Sequence, residues 1–229
     1  MRPKAILFGG LGTIAEISDV DCEAWNAAFR IHDVAWGWSW DVYSELMRQS
    51  GSGLMAECFA KHIGADVDTD ALQRTQSKLF AARISDGLPL RPGVAEVILW
   101  AAQHDVLLGL VTRVGAASAR AFLKSTARAR AGITFDVAVL RSDVTELAPS
   151  PEAHELAINQ LGVLPDQVLS IENLPLGVAA ASAAGIPVLA YPGKVAADIN
   201  FEAASMQTQS LSVAEIIEAW RGTDHVAAE

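Results

Sequence analysis

Residues 4–16 read KAILFGGLGTIAE, an apolar run that breaks into three glycines within four positions. The run has the make-up of a strand buried on both faces, and the glycines form a turn at its carboxyl end. Gly10, Gly12 and Ala15 spell G-x-G-x-x-A, the spacing of a dinucleotide-binding turn. The same stretch differs at only two positions, 9 and 11, from a catalytic loop that carries two aspartates. The rest of the chain has to separate a loop that cradles a pyrophosphate from one whose carboxylates have gone.

The chain has 229 residues, of which 51% are hydrophobic and 19% charged, enough to bury a large core and too apolar for long disordered tracts. Its net charge of −10 argues against nucleic acid or an anionic membrane as partner. Cys22 and Cys58 lack metal-type spacing, so reduced thiols in a cytoplasmic protein are expected. The opening MRPKAILFGG is too short for a signal segment, and no window approaches the roughly 20 apolar residues of a membrane span.

Strands and helices alternate from residue 90 onward. RPGVAEVILWAAQHD (91–105) has proline at a helix start and apolar residues at helical spacing, and VLLGLVT (106–112) is a buried strand. Helix 115–130, strand 135–140 and helix 150–162 follow, the last with Ser150 as N-cap, Pro151 at its first position and Gly162 at its end. Strand 167–173, helix 176–185, strand 186–193 and helix 212–220 complete the series, while 195–210 is the least patterned stretch. Repeated β-α-β of this kind predicts an α/β fold, a mostly parallel sheet flanked by helices on both faces. Residues 16–88 instead have helical periodicity throughout, and Trp25, Trp36, Trp38 and Trp40 are expected in the core of that helical insert.

Ligands of an open parallel sheet collect at the carboxyl ends of its strands. The segments leaving those ends are FGGLGT (8–13), VTRVG (111–115), ELAPSPEAH (146–154) and IENLPLGVAAASAAG (171–185). With LRPGV (90–94) and GVAAASAAGIPV (177–188), their order and spacing resemble the haloacid dehalogenase superfamily, in particular the CbbY-like sugar-phosphate phosphatases. The resemblance covers nearly the whole chain. It implies a Rossmann-like core, residues 1–15 and 89–229, with a helical cap inserted at 16–88. It also implies an aspartate that attacks phosphorus, a second aspartate as acid and base, a hydroxyl and a lysine that hold the phosphoryl group, and acidic residues that bind Mg2+.

Mapped onto this sequence, the scaffold of that family matches and its reactive groups do not. Gly9 stands at the nucleophile, Leu11 at the acid/base, Ala148 at the lysine, and Asn173 at an acidic position of the fourth loop. Thr112 keeps the hydroxyl and Glu172 the first fourth-loop acid, while Gly53 occupies the lysine position of the family's cap motif. The expectation is a pseudoenzyme with no cofactor, its Mg2+ site lost. A rescuing carboxylate would have to come from Glu16, Asp19, Asp143 or Glu146. The alternative is a weak or re-routed phosphatase.

The dinucleotide reading needs a second strand ending in an acid about 20 positions on. Asp33 has the distance, but the residues before it are helically spaced, so the vacated catalytic loop is the better account. Gly9, Gly10, Leu11, Thr112, Arg113, Glu172 and Asn173 are then expected around a pocket that has lost more negative than positive charge. Such a pocket suits a phosphorylated or carboxylate small molecule held without metal. A protein partner is the other expectation. His32, His62, His104, His154 and His225 show no ligand spacing and are expected at the surface or at helix ends.

Overall fold

The alternation of side chains along one short strand organises the molecule. In the computed structural model, which describes residues 1–50, 67–128 and 133–222, β1 (Ala5–Gly9) lies between two parallel neighbours. Ile6 and Phe8 point into one core layer with Leu110 and Ile171, whereas Ala5 and Leu7 point into another with Val139 and Ile158. A period of two buried on both sides is what an apolar run in a covered parallel sheet requires.

The other strands are β2 (Leu107–Val111), β3 (Val137–Val139), β4 (Val168–Glu172), β5 (Val188–Ala190) and β6 (Met206–Gln207). All pairings are parallel, in the order β3-β2-β1-β4-β5-β6. The expected α/β sheet is therefore present, with somewhat shorter strands. β6 lies in the stretch that carried no pattern. Its two residues are placed by pairing with Leu189 and Ala190, and no periodicity can register in so short an element.

Eight helices are seen among the described residues: α1 (Ser18–Ile31), α2 (Trp40–Ser50), α3 (Thr69–Ile84), α4 (Val94–Gln103), α5 (Ala116–Arg128), α6 (Glu152–Leu161), α7 (Pro175–Ala183) and α8 (Val213–Arg221). Helix α6 starts later than expected: Pro151 takes the cap position, and the Ser150 hydroxyl accepts a long 3.4 Å bond from the Glu152 amide. The predicted role of Gly162 holds, since it closes the helix at φ 66°.

The described elements between the turn after β1 and α4 are the helices α1, α2 and α3, packed around a cluster of Trp25, Phe29, Trp38, Tyr43, Met47 and Leu72 that Val195 joins from beyond β5. The rings of Phe29 and Trp38 meet edge to face at 4.9 Å. The expectation that all four tryptophans fill this core is corrected. Trp25 and Trp38 do so, whereas Trp36 and Trp40 are 42% and 38% exposed, because the loop and helix start that carry them lie at the rim. Asp21 is buried in the same layer, accepting hydrogen bonds from Tyr43 Oη (2.9 Å) and Gln76 Nε2 (2.6 Å). Burial, opposed by those donors, pushes its carboxyl up to about 7. No described helix is long and apolar enough to cross a membrane. Cys22 is buried with a free thiol; Gly53, Cys58, His62 and His225 lie outside the described residues.

Candidate functional site

The turn after β1 is held from below by one arginine. Arg91, from the LRPG turn before α4, donates to the carbonyls of Gly12 (2.8 Å), Tyr191 (2.9 Å) and Pro192 (2.5 Å), with its guanidinium over the Tyr191 ring. Leu11–Thr13 form a single 3-10 turn, and Gly10 precedes it at φ 95°, in the left-handed region that glycine adopts freely. The Gly10 amide is already used, donating to Val111 O at 2.6 Å. Asp33 follows helix α1 and not a second strand, at φ 53°, so the dinucleotide arrangement is not formed.

A cavity of about 100 Å³ opens at the carboxyl ends of β1, β2 and β4. Gly9, Gly10, Leu11, Thr112, Arg113, Ala148, Glu172 and Asn173 all line it. These residues are scattered over more than 160 positions of sequence and are gathered by the parallel sheet. Tyr43 and Met47 of α2 close one side, and much of the rest is alkyl.

The central side chain is Glu172. It is 2% exposed, and its carboxylate lies between Gly9 and Gly177, in space that a Cβ on either glycine would occupy. Oε1 accepts hydrogen bonds from Ser170 Oγ at 2.8 Å and faces His154 Nε2 at 2.8 Å. The acid of the fourth loop thus folds back into the volume opened by the missing side chain at 9. Asn173 behaves similarly, its amide filling the space beside Gly12.

His154 is a correction to the surface or capping role expected of it. It is 3% exposed in the first turn of α6, bonded to Glu172, and its Nδ1 has no hydrogen-bond partner. No local periodicity signals this, because the pairing joins positions 18 residues apart through tertiary packing. His104, by contrast, sits at a helix end with Nδ1 2.8 Å from Trp100 O, and His32 lies 2.7 Å from Thr75 Oγ1.

Arg113 is not a solvated surface arginine. Burial holds its guanidinium below the usual arginine value, and the Glu172 charge partly offsets that effect. Of the four candidate rescuing carboxylates, only Glu146 lines the cavity. Glu16 accepts from Ser18 and from the Lys194 amide, Asp19 pairs with Lys194, and Asp143 accepts from the Leu140 amide.

The donor set does not suit Mg2+, which prefers several hard oxygen ligands in octahedral array. Among the described residues no group of three His, Cys, Asp or Glu side chains converges on a point. The Glu172 carboxylate at the loop is already bound to His154 and Ser170, and its neighbour Asn173 supplies only an amide.

A family model described as haloacid dehalogenase-like hydrolase matches residues 12–191. The chain is 31% identical to Protein CbbY of Rhodobacter capsulatus over 221 residues, covering 93% of this chain and 96% of that protein. It is 26% identical to fructose-1-phosphate phosphatase YqaB of Escherichia coli, covering 81% and 94%. A crystal structure of CbbY from Rhodobacter sphaeroides in complex with xylulose-(1,5)bisphosphate superposes with TM-score 0.84 at 28% identity, over 91% of this chain and 94% of that one.

Proposed function

The chain belongs to the haloacid dehalogenase-like hydrolases, in their CbbY-like branch, and from that premise we propose that it binds a small organic anion and no longer transfers phosphoryl groups. The helices within 16–88 serve in this reading as the cap over the site. The observation that carries it is the position of Glu172. The space in which a nucleophile at 9 would start is taken by a carboxylate whose Oε1 is engaged by His154 and Ser170, and which is shut from solvent. Glycine offers no atom for a phospho-intermediate and Leu11 carries no proton, and loss of a nucleophile from such a constellation costs on the order of a millionfold in turnover. Among the described residues the donors that would hold the family's Mg2+ are replaced or already engaged.

The CbbY neighbour is seen with a phosphorylated small molecule, and this pocket is read as holding a phosphate or carboxylate compound without turning it over. Hydrolysis of p-nitrophenyl phosphate with Mg2+ and with EDTA tests the proposal. The expected rate is indistinguishable from buffer in both. Magnesium-dependent turnover that co-purifies with the protein would defeat it.

One observation favours a second reading, a re-routed hydrolase: a carboxylate does lie beside Gly9. Glu172 would then be the substitute nucleophile, and Glu172→Gln would abolish any turnover found. The two hydrogen bonds on Oε1 and its near-complete burial weigh against attack on phosphorus.

A further inference from the structure

A second cavity, of about 150 Å³, lies between α3 and the loop that follows β2, and it shares Arg113, Val114 and Arg141 with the main one. Gln73, Ser77 and Ser118 add neutral polar groups. No carboxylate among the described residues lines it, in a chain whose net charge is −10. Arg113 and Arg141 therefore line both cavities: on the main side Glu172 acts on Arg113, and on the second side no described acid stands beside them.

The carboxyl ends of β1 and β4 offer an anion much less. Glu172 places its carboxylate there, Leu11 and Ala148 present alkyl groups, the Gly10 amide is bonded to Val111, and the Thr112 amide is bonded to Val139. An oxyanion placed at that point would meet a carboxylate at close range in a poorly solvated pocket. Arginine forks match phosphate and carboxylate geometry and form the stronger, charge-assisted hydrogen bonds. The walls running from the arginines into the main cavity include Leu11, Met47, Leu140, Val144 and Leu147, which suit an alkyl body better than a polyol.

We propose that Arg113 and Arg141 hold the head of an organic oxyanion at the junction of the two cavities, away from the strand ends, with a weakly polar body extending over Leu11 and Met47. The proposal rests on the reading of this site as a binding site without turnover and specifies the ligand class and its anchor.

Calorimetric titration in EDTA with hexyl phosphate, hexanoate, glucose 6-phosphate and inorganic phosphate tests it, the first two distinguishing a phosphate from a carboxylate head. A hexyl compound should bind more tightly than glucose 6-phosphate or inorganic phosphate. Arg141→Gln should weaken it about tenfold or more, as expected for loss of a charge-assisted contact, and Arg141→Lys should recover part of that loss. Arg141 lies partly exposed in a 3-10 turn, so its variants are expected to fold, which thermal unfolding would verify. The proposal is overturned if no probe binds, if glucose 6-phosphate binds best, or if Arg141→Gln binds as well as the parent while Thr112→Val does not. Turnover of hexyl phosphate with Mg2+ would instead strike the proposed function and leave the location of the anchor to the Arg141 variants.

Discussion

The carboxylate of Glu172 occupies the space that any side chain on Gly9 would need. Restoring an aspartate at 9 is therefore not a simple repair. A Cβ there must push Glu172 off His154 and Ser170. Gly9→Asp and Gly9→Ala are each expected to lose about 1–3 kcal/mol of stability by urea unfolding, with no gain in phosphatase activity. Gly9→Ala made in a Glu172→Ala background should cost at least about 1 kcal/mol less, the coupling expected of side chains that compete for one volume.

The His154–Glu172 pair gives a second expectation. Both side chains are nearly excluded from solvent, so removing one leaves the other without its compensation. His154→Ala should destabilise by about 3 kcal/mol. Glu172→Gln keeps an oxygen acceptor for Ser170 and His154 and removes the charge, so it should cost about 1 kcal/mol or less. Equal losses in the two variants would count against the pair as described.

Asp21 predicts a pH dependence of unusual sign. Its carboxyl sits near 3.8 when exposed and is pushed up to about 7 by burial in the folded chain. Between those values the unfolded state has released the proton while the folded state keeps it, so stability falls as pH rises from about 4 to 7. The full contribution across that window is on the order of 4 kcal/mol. Below the window both states are protonated, and above it both are ionised. Urea unfolding of Asp21→Asn should show this slope flattened, with the variant more stable than the parent above pH 7.

Arg91 ties the loop after β1 to the turn after β5 through three carbonyls. A lysine supplies a point charge and cannot reproduce that fork. Arg91→Lys should cost about 2 kcal/mol and speed amide hydrogen exchange in residues 10–14, while exchange in β1 stays slow.

The sheet was legible because buried parallel strands are continuous apolar runs, and Ala5–Phe8 and Leu107–Val111 could hardly be anything else. The site was legible as a set of positions, since strand ends gather loops whatever those loops contain. Its internal chemistry was not. That Glu172 would fold into the gap at Gly9 depends on two glycines, 168 residues apart, clearing space on either side of one side chain, and on a histidine arriving from α6. None of these leaves a local pattern. The same limit applies to Trp36 and Trp40, expected beside their buried neighbours Trp25 and Trp38 but carried at the rim by a loop and by the first residue of α2.

Beryllium trifluoride, a mimic of the phosphoryl group that binds a carboxylate nucleophile beside Mg2+, probes most directly whether any carboxylate is presented to phosphorus here. Fluorine NMR of the protein with beryllium fluoride and Mg2+ should show only free fluoroberyllate, before and after desalting. Protein-bound resonances that persist through desalting, and that vanish in Glu172→Gln, would contradict the account.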